Sequence, residues 1–503
     1  MGMRRTAMVG LFVLLVAAAA TVSPAVTQPA AADLPSDVAA DFNHDGVADL
    51  AVGVLGENGV AGAVNVLYGA GGGLSGTGAQ VFFQVGGTPE PGDRFGSALA
   101  AGDFNGDGFA DLAVGASGED VGSAFDAGAV SVLYGSAAGL TTNGGRLFTQ
   151  VGSAAEEADE FGYALAAGDF NHDGFADLAA GAPFESVGGA SQAGAVSILP
   201  GSAAGLTATG GRLVTQVGSA AEANDNFGSA LAAGDFNSDS FADLAAGAPG
   251  ESVGSDAAAG AVSVLPGSAG GLTATGGRLF TQVGGAVEEG DRFGWALAAG
   301  DFDHDSFADL AAGAPFERVG STYAAGAVST LNGSAGGLTS SGGRLFVQVG
   351  SAPEIFDLFG FALVAGDFNQ DSFADLGAGA PWEDVGRAAG QAGAVSVLPG
   401  SGGGLTTTGG RLFTQVGGTV EANDQFGSQL AAGDLNHNGF AELAAAAPSE
   451  TLGTIPQAGA VSILQGSGGG LTTTGGQLFT QDSPGVPGVA EPFDSFGGSE
   501  FTP

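Results

Sequence analysis

Read for its apolar and polar positions, the chain repeats itself. One unit, from Phe161, runs FGYALAAGDFNHDGFADLAAGAPFESVGGASQAGAVSILPGSAAGLTATGGRLVTQVG. Four short apolar stretches recur in it: FGYALAAG, ADLAAGA, GAVSIL and RLVTQV, each bounded by Gly, Pro, Asn or Asp. Apolar runs of that length between turn formers predict the strands of an antiparallel meander, and no stretch carries a sustained helical period. The first two strands are rich in Ala and Gly, which lets neighbouring backbones approach closely near a crowded axis.

The period is marked by aspartates: Asp41, Asp103, Asp169, Asp235, Asp301, Asp367 and Asp434, separated by 62, 66, 66, 66, 66 and 67 residues. A four-stranded unit repeated seven times predicts an all-β, seven-bladed β-propeller, in which radial closure leaves only short edges. The first unit lacks the FG strand that should precede its aspartate loop, and the C-terminal EPFDSFGGSEF, with Phe496 and Gly497, supplies one. The first blade is therefore expected to be closed by the C-terminal strand. The expected units are about 33–94, 95–160, 161–226, 227–292, 293–358, 359–425 and 426–495, with a closing strand at 496–503. Arg4 and Arg5, the apolar Leu11–Ala20 and the small residues Ala30-Ala31-Ala32 read as a secretory signal peptide over 1–32, with the mature domain at 33–503.

The FG that starts each unit and the GAP that ends its second strand (Gly181-Ala182-Pro183, Gly247-Ala248-Pro249, Gly313-Ala314-Pro315, Gly379-Ala380-Pro381) resemble FG-GAP repeats, as in the propeller of the integrin α subunit. The resemblance implies a bacterial-type secreted member of that group. Three units depart at the GAP: Gly53-Val54-Leu55, Gly115-Ala116-Ser117 and Ala446-Ala447-Pro448.

Each aspartate opens a loop of the form D-x-[ND]-x-[DN]-[GS]-x-x-[DE]. Close carboxylates repel unless a cation neutralises them, and Ca²⁺ takes six to eight oxygens. Side-chain oxygens are expected from positions 1, 3, 5 and 9, and a backbone carbonyl from position 7. The candidate ligands of the first three loops are Asp41, Asn43, Asp45, Val47 and Asp49; Asp103, Asn105, Asp107, Phe109 and Asp111; Asp169, Asn171, Asp173, Phe175 and Asp177. Those of the next three are Asp235, Asn237, Asp239, Phe241 and Asp243; Asp301, Asp303, Asp305, Phe307 and Asp309; Asp367, Asn369, Asp371, Phe373 and Asp375. The seventh has Asp434, Asn436, Asn438, Phe440 and Glu442. Up to seven Ca²⁺ ions are expected. Position 6 is Gly46, Gly108 and Gly174 in the first three loops and Ser240, Ser306 and Ser372 in the next three, where positive φ would cost about 1 kcal/mol. Asn438 and Glu442 make the seventh loop the expected weakest. All four histidines (His44, His172, His304, His437) occupy position 4, which holds Gly106, Ser238 or Gln370 elsewhere, so they read as solvent-facing loop residues.

Composition narrows the partners. With 53 acidic residues against 11 basic ones, all Arg, the net charge is −42, which disfavours nucleic acid and anionic lipid. There is no Cys, hence no disulfide and no lipid-modified cysteine. No later segment is apolar enough for membrane insertion, and a monomer, secreted or associated with a cell surface, is expected.

A residue present in every unit belongs to the scaffold, whereas a site should break the repeat. By that test Glu222 and Asp225, ahead of Phe227, and Glu185, Glu251 and Glu317, after the GAP, read as structural groups satisfying loop amides. The residue after FG is Tyr163, Trp295 or Phe361 in three units, and the residue after the GAP is Phe184, Phe316 or Trp382 in the same three. These positions are expected to be neighbours, giving three aromatic pairs on the face opposite the metal loops as candidate ligand contacts. Arg94, Arg292, Arg318 and Arg387 also break the repeat, whereas Arg146, Arg212, Arg278, Arg344 and Arg411 recur before the fourth strand. The reading favoured is a binding or adhesion module for an extracellular protein or carbohydrate, not an enzyme. The alternatives are a structural cell-surface or matrix component and, less favoured, a propeller lyase or hydrolase.

Overall fold

The computed structural model describes residues 41–386 and 390–498. The leader, Arg387 and the end of the expected closing strand lie outside them. The chain forms seven antiparallel sheets arranged as the blades of a propeller. In the third blade Leu165–Gly168 is innermost, followed outward by Asp177–Ala182, Ala195–Leu199 and Arg212–Val214. Six blades have four such strands, and the first has three, Leu50–Val54, Ala63–Tyr68 and Ser75–Phe82. Its inner place is taken by the chain's other end. Phe496 bridges Val54 antiparallel, and the Gly497 N–H donates to the Gly53 carbonyl at 2.9 Å. The same bond joins Gly162 to Gly181 and Gly228 to Gly247 in other blades. The C-terminal segment therefore closes the first blade.

The inner strands abut around the axis because they carry almost no side chain. A Cβ on Gly102 would lie 3.2 Å from that of Ala167 in the next blade, and one on Gly234 3.2 Å from that of Ala299. The core lies between blades, anchored by two rings of large side chains. The Phe of every FG (Phe95, Phe161, Phe227, Phe293, Phe359, Phe426, Phe496) is fully buried, and so is the residue after each loop's first aspartate, from Phe42 to Leu435. The GAP glycine has a steric reason: a Cβ on Gly181 would sit 2.1 Å from the Gly228 carbonyl oxygen.

Two expectations need correction. FGYALAAG is not one regular strand: in blades three to seven only its last four residues are extended, as in Leu165–Gly168. The residue before FG and the Gly itself are left-handed (Glu160 φ +53°, Gly162 φ +89°), so the chain turns there. The rim strand is likewise shorter than RLVTQV, with two or three residues in blades three to six but eight in blades one, two and seven. The long rim strands pair at Tyr68, Tyr134 and Gln465. Three of the four short ones have Pro200, Pro266 or Pro399 at that place, and Pro has no N–H to continue the ladder. The one helical element among the described residues, Glu57–Val60, is a single turn containing left-handed Asn58 and Gly59.

Candidate functional site

Each aspartate loop joins the innermost strand to the second. In the fifth, Asp301 follows Leu297–Gly300, and Asp309 begins Asp309–Ala314. Asp301 accepts from the N–H groups of Asp305 (3.1 Å) and Ser306 (2.9 Å), and Asp305 accepts from that of Phe307 (3.0 Å). Asp309 accepts from Phe302 N–H (3.1 Å) and, across the blade, from Gly333 N–H (2.7 Å). Positions 1, 5 and 9 are thus oriented by backbone donors, and position 6 is left-handed in all seven loops, from φ +72° at Ser240 to +89° at Gly108 and Gly174. The turn demands this conformation, and three serines adopt it.

What these loops hold can be judged from their unused oxygens. The position-3 Oδ1 atoms of Asn171, Asn237, Asp303, Asn369 and Asn436 are buried and have no hydrogen-bond partner. In loop five the carboxylates of Asp301, Asp303 and Asp309 lie within 4.8 Å of one another. Burial, reinforced by neighbouring carboxylates, pushes the position-9 acid up, to about 8 at Asp49 and Asp111 and to about 7 at Asp177, Asp243, Asp309, Asp375 and Glu442. Converging anionic and orphaned neutral oxygens are the donor set of a hard cation. In loops one and two the position-3 oxygen instead accepts from Asp45 or Asp107 N–H (2.9 and 2.8 Å). The seventh loop keeps the common frame, since Asn438 accepts from Phe440 N–H (2.8 Å) and Glu442 from Leu435 N–H (2.9 Å). Loop five is also the one loop with an aspartate at position 3, which gives it a third converging carboxylate where the other loops have an Asn oxygen.

Two features of this end escape sequence reading. The position-8 N–H of every loop donates to the position-1 carbonyl of the loop before it, as Ala110 to Asp41 (3.2 Å) and Ala374 to Asp301 (2.9 Å), and Ala48 to Asp434 (3.1 Å) closes the circle. The loops therefore form a hydrogen-bonded ring. The histidines are exposed, as expected, but three of them also pack edge-on against the position-7 Phe of the next loop: His44 on Phe109, His172 on Phe241 and His304 on Phe373, at 5.6–5.7 Å.

At the opposite end, Tyr163 meets Phe184 (6.0 Å between centroids) and Trp295 meets Phe316 (5.7 Å). Phe361 and Trp382 share one apolar cluster with Trp295 and Phe316, and Trp295 also meets Phe361 of the next blade at 5.7 Å. The inner member of each pair is buried: Tyr163, Trp295 and Phe361 are 4%, 7% and 3% exposed. They line a small axial cavity, partly open to solvent, together with Ser229 and Gln429. The surface belongs instead to residues not singled out in advance. Tyr323 and Phe356 are 47% and 42% exposed and meet at 5.5 Å, and Phe356 meets Trp382 at 6.3 Å. Ile355 beside them is 62% exposed. The signal was available, since Ile355 and Phe356 stand where the neighbouring units have Glu289 and Gly290, or Ala422 and Asn423.

The recurring acids at this end are scaffold groups. Asp225 accepts from Glu222 N–H (2.5 Å), as the equivalent Asp does in each blade. The glutamate after the GAP accepts from a Gln side chain rather than from a loop amide, as Glu251 does from Gln216 (2.8 Å). Burial and the facing glutamate push Asp225 up to about 6 and Asp357 to about 7. The rim arginines reach the next blade: Arg278 donates to the Leu338 carbonyl (3.1 Å), Arg344 to Leu405 (3.4 Å), Arg411 to Leu471 (3.4 Å), and Arg212 to Gly270.

Comparison with known families is decided by the same six blades. Residues 95–133, 161–199, 227–265, 293–331, 359–398 and 426–464 each match the FG-GAP repeat. The chain is an FG-GAP repeat protein. The first blade, split between the chain ends, lies outside those matches. Among curated proteins, the chain is 37% identical over 165 residues to rat phosphatidylinositol-glycan-specific phospholipase D, covering 32% of this chain and 19% of that protein. It is 32% identical over 243 residues to chicken integrin alpha-V, covering 47% of this chain and 21% of the integrin. The chain thus matches about a fifth of the length of these relatives. Among solved structures, a rhamnogalacturonan lyase of Bacillus licheniformis aligns over 76% of this chain and 63% of its own at 13% identity, with a TM-score of 0.33, too remote to carry an argument. Within the FG-GAP frame, the FG turns and GAP ends form the face opposite the aspartate loops, and departures there change contacts. Leu55, where five of the other repeats have Pro and one has Ser117, packs against Tyr163. No helix among the described residues is long and apolar enough to cross a membrane.

Proposed function

We propose that this chain is an extracellular binding propeller in which calcium in the aspartate loops fixes the blades and the opposite face, at blades five and six, receives a protein or carbohydrate ligand. The observation that carries the reading is the contiguous aromatic group at blades five and six, where half-exposed Tyr323 and Phe356 meet each other and Phe356 meets the partly buried Trp382. Aromatic side chains left half-exposed on a folded surface favour partners with apolar faces.

Calcium is held by the side chains at loop positions 1, 3, 5 and 9 and the position-7 carbonyl. The orphaned position-3 oxygens support that assignment. Because each loop is bonded to the next, the ion's contribution is to the ring as a whole. The apolar leader over 1–32 supports export, and mature residues 33–503 form the domain. A non-enzymatic role is favoured because the paired carboxylates that resemble an acid–base couple recur in every blade and are tied to scaffold donors.

The test is a glycan and matrix-protein array probed with the calcium-saturated wild type and a Phe356→Ala, Trp382→Ala double variant. A ligand retained by the wild type and lost by a variant of unchanged melting temperature supports the reading. Equal binding by both proteins, or no ligand for either, removes it.

A further inference from the structure

Positive charge is scarce in this protein, with 11 arginines against 53 acidic residues. Most of the described arginines are spent on the scaffold or neutralised. Arg212, Arg278, Arg344 and Arg411 of the rim donate to carbonyls of the next blade. Arg94 pairs with Asp126 (3.5 Å) and Glu160 (3.6 Å), and Arg318 lies 3.8 Å from Glu288. Arg292 differs. It is exposed, forms no ion pair among the described residues, and lies over the rings of Trp295 (5.8 Å) and Phe316 (5.5 Å). It occupies the left-handed position before FG (φ +57°), where its N–H is held by the Ala258 carbonyl (3.2 Å).

A guanidinium stacked on aromatic rings keeps its edge donors available, and its planar fork matches a carboxylate in two parallel hydrogen bonds. Next to it runs the aromatic ridge. Phe316 belongs to the cluster that includes Trp382, and Arg318 covers Tyr323 at 5.4 Å, beside Phe356. Among the described residues the sector therefore sets a cation without an ion pair beside a group of aromatic side chains. Aromatic faces of this kind pack against the C–H faces of sugars.

The rest of the protein limits how much charge a partner can bring. A net charge of −42 repels polyanions at long range, while beyond about 8 Å at physiological ionic strength single charges are screened. An acidic protein segment brings several carboxylates into that field. A sugar residue with one carboxylate, in a glycan otherwise neutral, meets Arg292 without it.

We propose that Arg292 and the ridge of Phe316, Tyr323, Phe356 and Trp382 form a subsite for a carboxylated sugar residue of an otherwise neutral glycan. This rests on the reading of this face as a binding face and names what it recognises.

The experiment titrates the full calcium-saturated chain with methyl β-glucuronide, methyl β-galacturonide and the neutral methyl β-glucoside, followed by ligand-observed NMR and calorimetry. At least one uronide is expected to bind at least about tenfold more tightly than the glucoside, and to weaken as salt rises from about 0.05 to about 0.5 M. Arg292→Gln should remove that preference at unchanged melting temperature. Arg292→Lys, which keeps the charge but not the fork, should retain part of it. Equal affinity for uronide and glucoside, no binding of any glycoside, an unaltered preference in Arg292→Gln, or tighter binding of a hexaglutamate peptide would each overturn the proposal. Should the array yield a ligand that Phe356→Ala, Trp382→Ala loses but Arg292→Gln retains, the binding face stands and only this subsite falls.

Discussion

At the loop end, an aspartate opens the turn in every blade, a left-handed residue sits at position 6, and the same backbone bond passes from each loop to the next. At the other end the backbone repeats as faithfully, with a left-handed residue before every FG, but the side chains do not. Arg94, Glu160, Asn226, Arg292, Leu358, Gln425 and Ser495 occupy that one position in turn. A constant backbone carrying constant side chains marks a structural device, here a hydrogen-bonded ring of aspartate loops. A constant backbone carrying variable side chains marks a scaffold free to specialise, and blades five and six carry the touching rings of Tyr323, Phe356 and Trp382 and an Arg292 with no ion pair among the described residues.

The largest test of this contrast is calcium removal. Each site held at about ten times its dissociation constant adds about 1.4 kcal/mol, so full occupancy of seven loops reaches about 10 kcal/mol. Chelation should therefore lower the melting temperature by far more than any single substitution, and readdition should restore it. Scanning calorimetry in calcium and in chelator checks this. An unchanged transition would break the assignment of the loops as the stabilising end.

Acidity separates the ends next. Asp225, Asp424 and Asp494 are pushed up to about 6 by burial, and Asp159, Asp357 and Glu450 to about 7. Between about pH 4 and 7 the folded chain then binds more protons at the FG end than the unfolded chain does, so stability falls as pH rises. In chelator, the melting temperature should be higher at pH 5 than at pH 8. A carboxylate that binds calcium must be ionised, so the loop end gives the opposite slope when the ion is present. Calcium stabilisation should accordingly grow from pH 5 to pH 8. Parallel pH profiles with and without calcium would merge what the structure separates.

Much of this was legible in the sequence. Constant aspartate spacing gave the blade number, and the stray FG at Phe496 gave the closure, because both follow from side chains that only one backbone arrangement accommodates. The loop-to-loop bonds were not legible, since backbone N–H and carbonyl groups leave no trace in residue identity. Nor was the left-handed turn at position 4, where His44, Gly106, Ser238 and Gln370 share a conformation but no chemistry. The aromatic ridge was missed for a third reason. Tyr323 belongs to a loop of blade five and Phe356 to the approach to blade six, and it is the side-by-side packing of consecutive blades that makes them neighbours. The chosen pairs at Tyr163, Trp295 and Phe361 were correct as positions that break the repeat, but the axis buries them.

The smallest effect compares one backbone demand at both ends. Ser306 holds φ +74° at loop position 6, is exposed, and donates only its N–H, to Asp301. Ser306→Gly keeps that bond and removes the strain of a Cβ in the left-handed region, so it should stabilise by up to about 1 kcal/mol. Leu358 holds φ +58° before the FG of blade six but is fully buried in the cluster around Trp295 and Phe361. Leu358→Gly relieves the same strain and forfeits about 1.5–3 kcal/mol of burial, so the net change should be a loss. Chemical denaturation of both variants in saturating calcium reads the two signs. A gain at Leu358 as well would mean that its side chain is dispensable to the packing beneath the aromatic ridge.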